Sequence, residues 1–135
     1  GDFSGDGRAD LMVYNGQDVE SPQKLRLFER DPIAWDQADA EAARAFYATV
    51  LRLARNHPAL RTGTLRALET TAPDDVIAYG RGSLVMLVNA RPRETRFTVS
   101  GCDVGGARDL LTGRTQQGAT VVLPAYGALV LERSN

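Results

Sequence analysis

The chain has 135 residues, 43% of them hydrophobic and 24% charged, with a formal net charge of −1. That length suits one ordinary domain, or a small domain with an appended helix, and a chain of this size buries roughly 68–70% of its unfolded surface, enough for a true core. The near-neutral charge offers no field to steer nucleic acid or an anionic membrane, and no apolar run approaches the ~20 residues of a membrane span, so neither is an expected partner.

Cys102 is the single cysteine, which excludes an internal disulfide and leaves the redox compartment open. A catalytic thiol needs a base beside it. The one histidine, His57, falls at a helix end before Pro58, so Cys102 reads as a small buried residue rather than a nucleophile. The chain opens at Gly1 with no methionine and no signal-like segment, as expected of a cut or incomplete chain.

In chain order, residues 1–10 read as a turn-rich segment and Leu11-Met12-Val13-Tyr14 as a short buried strand. Oxygen ligands at Asp2, Ser4 and Asp6, the carbonyl of Arg8 and the carboxylate of Asp10 recur at every second residue, as in an EF-hand loop, and Gly5 and Gly7 permit the sharp turn. These are the candidate Ca²⁺ ligands, and a lone copy at a terminus that frays predicts weak binding. The plainer alternative is a polar glycine-rich turn with exposed acids. No period persists from residue 15 to 36, where Pro22 and Pro32 punctuate a long loop with room for a turn of helix.

Residues 36–56 give the clearest helix, with Asp36 in capping position, Asp39 three residues on, and Pro58 with Gly63 as stop signals. Ala43, Phe46, Tyr47, Val50, Leu51, Leu53 and Ala54 form a broad apolar stripe at helical spacing, and Phe46 and Tyr47 read as core residues. From Gly63 the period becomes that of strands: 64–69, 76–79, 84–89, 95–99, 107–111, 120–123 and 128–132, each bounded by Gly, Pro, Asp or Ser. The spacing predicts an antiparallel sandwich. Thr95, Phe97 and Val99 alternate with Glu94, Arg96 and Thr98 as one buried and one wet face, whereas Leu84-Val85-Met86-Leu87-Val88 reads as a central strand buried on both sides.

The fold class is therefore mainly β with one long helix: an antiparallel β-sandwich preceded by a helix and an N-terminal loop and strand. Glu29, Asp31, Asp36, Asp39, Glu41, Asp74 and Asp75 fall at caps and turns, where carboxylates stay solvated, and no catalytic pair is expected among them. If the surface stacked on sugar rings, Trp35, Tyr79, Phe97 and Tyr126 would be the residues to do so, although most of them sit within apolar alternation that suits a core.

Tyr14-Asn15-Gly16-Gln17-Asp18, Phe28-Glu29-Arg30-Asp31-Pro32-Ile33-Ala34-Trp35, the run from Leu51 through Asn56-His57-Pro58-Ala59-Leu60, Asp109-Leu110-Leu111-Thr112-Gly113 and Leu123-Pro124-Ala125-Tyr126-Gly127 follow one another in order. Together they resemble the C-terminal part of the α-amylase family of glycoside hydrolases, with Asp18 where Glu is commoner. The resemblance implies an end of a (β/α)8 barrel, loop and final helix, at 14–62 and an all-β C-terminal domain at 63–135, after a calcium-loop-like segment and strand at 1–13. It implies a non-catalytic scaffold piece of an enzyme acting on α-glucans or related α-glucosides, since the family's nucleophile and acid/base lie on earlier barrel strands. Carbohydrate would then be met through the parent enzyme, and the helix stripe, left without a barrel, would present an apolar patch for self-association.

Residues 1–11 instead resemble the calcium loops of FG-GAP-type propeller repeats. The two resemblances meet at Leu11–Tyr14, as in a fused, recombined or mis-assembled chain. Two other readings stand beside the scaffold: a free-standing carbohydrate-binding sandwich, and a calcium-dependent extracellular interaction segment built on the N-terminal loop.

Overall fold

The computed structural model describes residues 39–133. The calcium-loop residues Asp2, Ser4, Asp6, Arg8 and Asp10, the strand at 11–14, the loop at 15–35, and with them Trp35, Glu29, Asp31 and Asp36, lie outside the described residues. The chain divides into two compact units at Arg55 and Asn56, and each is treated by itself.

In the first unit the described element is α1, Ala40–Asn56, which carries Glu41 in its first turn and Arg55 in its last, charges that complement the helix dipole. The Ala43 N–H donates to the Asp39 carbonyl at 3.0 Å, closing the first turn. Ala40 and Ala43 are buried, and Tyr47, Val50 and Leu53 are half-buried. The covered stripe thus runs at 40, 43, 47, 50 and 53, the spacing of one helix face. Phe46 lies beside that stripe and is 48% exposed, and Leu51 is 42% exposed. The expectation that Phe46 is a core residue is therefore corrected. Phe46 falls off the line through 40, 43, 47, 50 and 53, so its ring stands at the margin of that stripe, edge-on to Tyr47 at 5.8 Å and 74°.

The second unit begins with a short helix that the stop signals had obscured. After the break at His57, α2 spans Pro58–Thr62. Proline cannot continue a helix, yet its fixed φ suits the first position of a new one. The His57 imidazole caps this turn, its Nδ1 accepting the Ala59 N–H at 3.3 Å. Gly63 ends it with its N–H on the Ala59 carbonyl at 2.9 Å. A Cβ at Gly63 would collide with that same carbonyl oxygen and come within 2.9 Å of the Gly82 nitrogen, so only glycine allows α2 to seat on the following hairpin.

The strands follow as β1 Leu65–Ala67, β2 Val76–Arg81, β3 Leu84–Asn89, β4 Thr95–Thr98, β5 Arg108–Asp109, β6 Thr120–Leu123 and β7 Ala128–Glu132. They make a five-stranded antiparallel sheet in the order β1-β2-β3-β7-β5 and a two-stranded sheet of β4 and β6. β2 and β3 meet through Gly82 and Ser83, with Gly82 at φ 57° as a two-residue hairpin requires. β1 is shorter than the predicted 64–69 because the chain leaves the large sheet there. Thr70 bridges Val99, and the Ser100 N–H donates to the Glu69 carbonyl at 2.8 Å, so residues 69–71 extend the small sheet instead.

The register of β3 between β2 and β7 sends Val85, Leu87, Leu129 and Leu131 to one face and Met86, Val88, Ala128 and Val130 to the other. The first face meets Phe97, Val121 and Leu123 of the small sheet, and Val104 and Ala107 of the connecting segment complete the core. Phe97, Leu87, Leu123 and Leu131 are each at most 2% exposed. Each such side chain contributes roughly 1.5–3 kcal/mol by leaving water. The two-layer antiparallel arrangement and the central, doubly covered β3 are those predicted from the pattern.

Candidate functional site

One concave feature of the second unit is a groove of about 510 Å³ along β6 and β7, walled on its far side by the hairpin that follows β5. Asp109 builds that wall. Its Oδ1 accepts the Leu111 and Val130 N–H groups at 3.2 and 3.1 Å, and its Oδ2 accepts the Thr112 N–H at 3.1 Å and the Thr112 hydroxyl at 2.5 Å. Gly113, at φ 76°, returns its N–H to the Asp109 carbonyl at 2.7 Å. One buried carboxylate thus organises the Asp-Leu-Leu-Thr-Gly turn and ties it to β7. Beyond it, the Gln116 amide donates to the Thr120 and Gly118 carbonyls at 2.8 and 3.2 Å, which fixes the approach to β6.

The lining is short on ions. Thr112, Thr115, Gln116, Gln117 and Thr120 supply hydroxyls and amides, Val122 and Leu129 supply apolar surface, and Arg114 is the cation. The carboxylate in that lining, Asp109, is 2% exposed with both oxygens committed to protein donors. Such a surface can bind a neutral polar ligand. It holds no pair of free carboxyl groups.

The groove ends at the turn of residues 124–127, where Pro124 and Gly127 belong to its lining. The Gly127 N–H donates to the Pro124 carbonyl at 3.0 Å, closing a four-residue turn with Tyr126 in its third position at φ 55°. Tyr126 is the non-glycine residue in that region among those described, and a side chain held there costs roughly 1–3 kcal/mol. Glycine or asparagine is the ordinary occupant. The turn is nevertheless held hard. Asn89, 1% exposed, donates its amide to the Pro124 and Arg93 carbonyls at 2.8 and 2.6 Å, and its own N–H reaches the Gly127 carbonyl at 2.9 Å. The Tyr126 N–H donates to the Arg91 carbonyl at 3.1 Å, and its side chain stands in solvent with the residue 68% exposed.

Of the residues considered for sugar stacking, Phe97 is 2% exposed and belongs to the core, which removes it from the set. Tyr79 is half-buried on the face of the large sheet turned from the core, and Tyr126 is exposed, against the expectation that apolar alternation would bury it. The alternation of the last strands ends at Leu123, and Tyr126 belongs to the turn between them. Neither the buried Asp109 nor the anchoring role of Asn89 was anticipated. The available signal for Asn89 was a polar residue closing an otherwise apolar strand.

His57 and Cys102 are each engaged with a different partner. His57 Nε2 meets Glu132 Oε1 at 3.0 Å while Nδ1 caps α2, so the neutral ring with its proton on Nε2 satisfies both contacts. The Cys102 thiol is buried, with Arg133 Nη1 at 3.5 Å. Asp74 and Asp75 both lie in a turn as predicted, and Asp75 is ion-paired there. Its carboxylate takes Arg93 at 2.8 Å and Arg91 at 3.2 Å, and the Arg93 hydrogen bond leads in holding its pKa below the ordinary aspartate value. A general acid would need the opposite shift. Among the described residues no group of three or more His, Cys, Asp or Glu side chains could hold a metal, and no helix is long and apolar enough to cross a membrane.

No protein-family model matches the chain. It is similar to Alpha-amylase 2 of Dictyoglomus thermophilum, 26% identical over 131 residues that take in 89% of this chain and 22% of that protein. The chain thus spans about a fifth of the length of that relative. Among solved structures, the maltogenic α-amylase AmyB of Thermotoga neapolitana shares its fold with a TM-score of 0.64 at 15% identity, over 90% of this chain and 33% of that one. Ttha1563 of Thermus thermophilus gives a TM-score of 0.54 at 27% identity, over 76% of this chain and 23% of that one. A MutB variant in complex with glucose gives 0.56 at 23% identity, over 67% of this chain and 18% of that one. The chain is thus similar to an α-amylase along most of its sequence, and it shares with a maltogenic α-amylase a fold of helix followed by antiparallel sheets.

Proposed function

We propose that this chain is the non-catalytic C-terminal portion of an α-amylase-family glycoside hydrolase acting on α-glucans or related α-glucosides, with the β-rich unit as scaffold. The match to an α-amylase of which it covers 22% carries the reading. The chemistry supports it. Retaining hydrolysis needs two carboxyl groups about 5–5.5 Å apart across the scissile bond, one of them kept protonated by its surroundings. In the β-rich unit Asp109 has both oxygens sealed among donors and Asp75 is held ionised by two arginines, so neither suits the protonated general acid. The purified chain should release no reducing sugar from starch, maltose or trehalose above a buffer control. Turnover that persists through repurification would refute the scaffold reading.

The Asp2, Ser4, Asp6, Arg8 and Asp10 loop adds a weak Ca²⁺ site to this proposal, on the strength of its alternating oxygen ligands. Calorimetric titration with CaCl₂ should give saturable heat that the Asp6→Ala variant lacks. Equal heats from the two proteins would leave a plain polar turn.

A further inference from the structure

The groove beside β6 and β7 is bordered by backbone that the two sheets leave unpaired. In β7 the Gly127 carbonyl accepts the Asn89 N–H, so Gly127 and Leu129 pair toward β3 while Ala128 and Val130 aim their N–H and C=O at the opposite edge. Val130 uses that edge, with its N–H on Asp109 Oδ1 and its carbonyl accepting the Leu110 N–H. Ala128 lies past the reach of β5, which ends at Asp109 and turns away through Gly113.

The same parity holds in β6. The Thr98 carbonyl accepts the Thr71 N–H at 3.1 Å and its N–H donates to the Thr71 hydroxyl at 3.0 Å, so Thr98 faces away from β6 and its partner Thr120 faces away from β4. The Thr120 carbonyl is met by the Gln116 amide at 2.8 Å. Val122, two residues on with the same aim, finds no partner for its N–H or carbonyl among the described residues and is 39% exposed.

Open edges are ordinarily blunted by charge, proline or a covering loop. β1 carries Arg66, and β5 is covered by its own hairpin, where Arg108 bridges Thr115. β6, Thr120-Val121-Val122-Leu123, has no charge, and three of its four residues are β-branched. Unpaired N–H and C=O groups at strand spacing are matched by a polypeptide backbone in extended conformation. Strands sit about 4.8 Å apart within a sheet and sheets about 10 Å apart, so a strand entering between the edges of two sheets can meet both.

Charge selects the occupant. Arg114 is the cation of the groove, and its guanidinium has no hydrogen bond or ion pair among the described residues, whereas the Asp109 carboxylate is fully taken. A second copy of this chain fits worse, since its β6 brings no carboxylate and a symmetric contact would set two Arg114 side chains in one interface. We propose that the slot between β6 and β7 docks an extended acidic segment of a partner protein, added as a strand through the N–H and C=O groups of Val122 and Ala128, with a carboxylate of that segment on Arg114.

The probe is the blocked peptide acetyl-Glu-Val-Thr-Val-Glu-Thr-amide, titrated into the whole chain while amide hydrogen exchange is followed by NMR. The Val122 and Ala128 amides should exchange quickly in the free chain and slow about tenfold or more at saturating peptide, as newly bonded amides do. Arg114→Ala should weaken binding about fivefold, and replacing both glutamates of the peptide by lysine should do at least as much. Val122→Pro removes an N–H that the β4 ladder does not use and should abolish binding with a cooperative melt retained; Arg114→Ala, on the exposed hairpin, keeps the test open if that variant fails to fold. No binding at millimolar peptide, equal affinity for the lysine peptide, or shifts confined to other amides would each overturn the proposal. Slow exchange of both amides in the free chain would overturn it too, because the edge would already be paired, and sedimentation would then distinguish a second copy from a contact within the chain.

Discussion

Asp109 shows how one residue can carry a local structure. Its two oxygens satisfy three backbone N–H groups and a hydroxyl in a place where water does not reach, with the residue 2% exposed. Truncation to alanine leaves those donors unpaired, and an unpaired buried group costs more than the net worth of the bond it lost. Asp109→Ala should therefore lower stability by about 2–4 kcal/mol in urea unfolding, and a loss below about half a kilocalorie would show the hairpin to be self-supporting. Asp75 offers a pH signature. The Arg93 and Arg91 contacts lower its native pKa, so its contribution to stability is full above the unfolded value of about 3.9 and fades as pH falls through the lowered native value. The stability gap between the native chain and Asp75→Asn should be constant from neutral pH down to about pH 5 and close below about pH 4; a gap that widens on acidification would reverse the assignment.

Among the elements, β3 and α1 make opposite uses of apolar sequence. β3 is hydrogen-bonded on both edges and buried on nearly every residue, with Leu87 fully enclosed between the two sheets. Leu87→Ala should cost about 2–5 kcal/mol through lost transfer energy and the cavity left behind. On α1 the aromatic Phe46 is 48% exposed, and Phe46→Ala should cost less than about 1 kcal/mol. Chemical denaturation of the two variants in parallel is the check; a larger loss at Phe46 than at Leu87 would mean that α1 is covered in solution along a different line.

At the scale of the molecule, the β-rich unit has its own core. Every member of the buried cluster, from Val76 to Leu131, lies in the second unit, and the His57 cap with its link to Glu132 closes α2 onto β7 within that unit too. A chain beginning at Asn56 should accordingly fold by itself, giving a single cooperative thermal transition and a β-type circular dichroism spectrum. A non-cooperative, featureless melt would show that the unit requires the residues before it.

The change of hydrophobic period at Gly63, the alternation in 95–99 and the unbroken apolar run of 84–88 were enough to determine helix, sandwich and central strand, because those patterns depend only on which faces must leave water. The ordered motifs likewise pointed to the α-amylase family. The pattern could not place what depends on partners distant in sequence. Which line of the apolar stripe on α1 is the buried one is not written in its period, and Asp109 becomes an anchor only once Val130 arrives from 21 residues away. Tyr126 sits between two apolar strands and reads locally as one more core residue. Only the closing of the 124–127 turn against Asn89 and Arg91 fixes the backbone in the left-handed region and turns that side chain out into water.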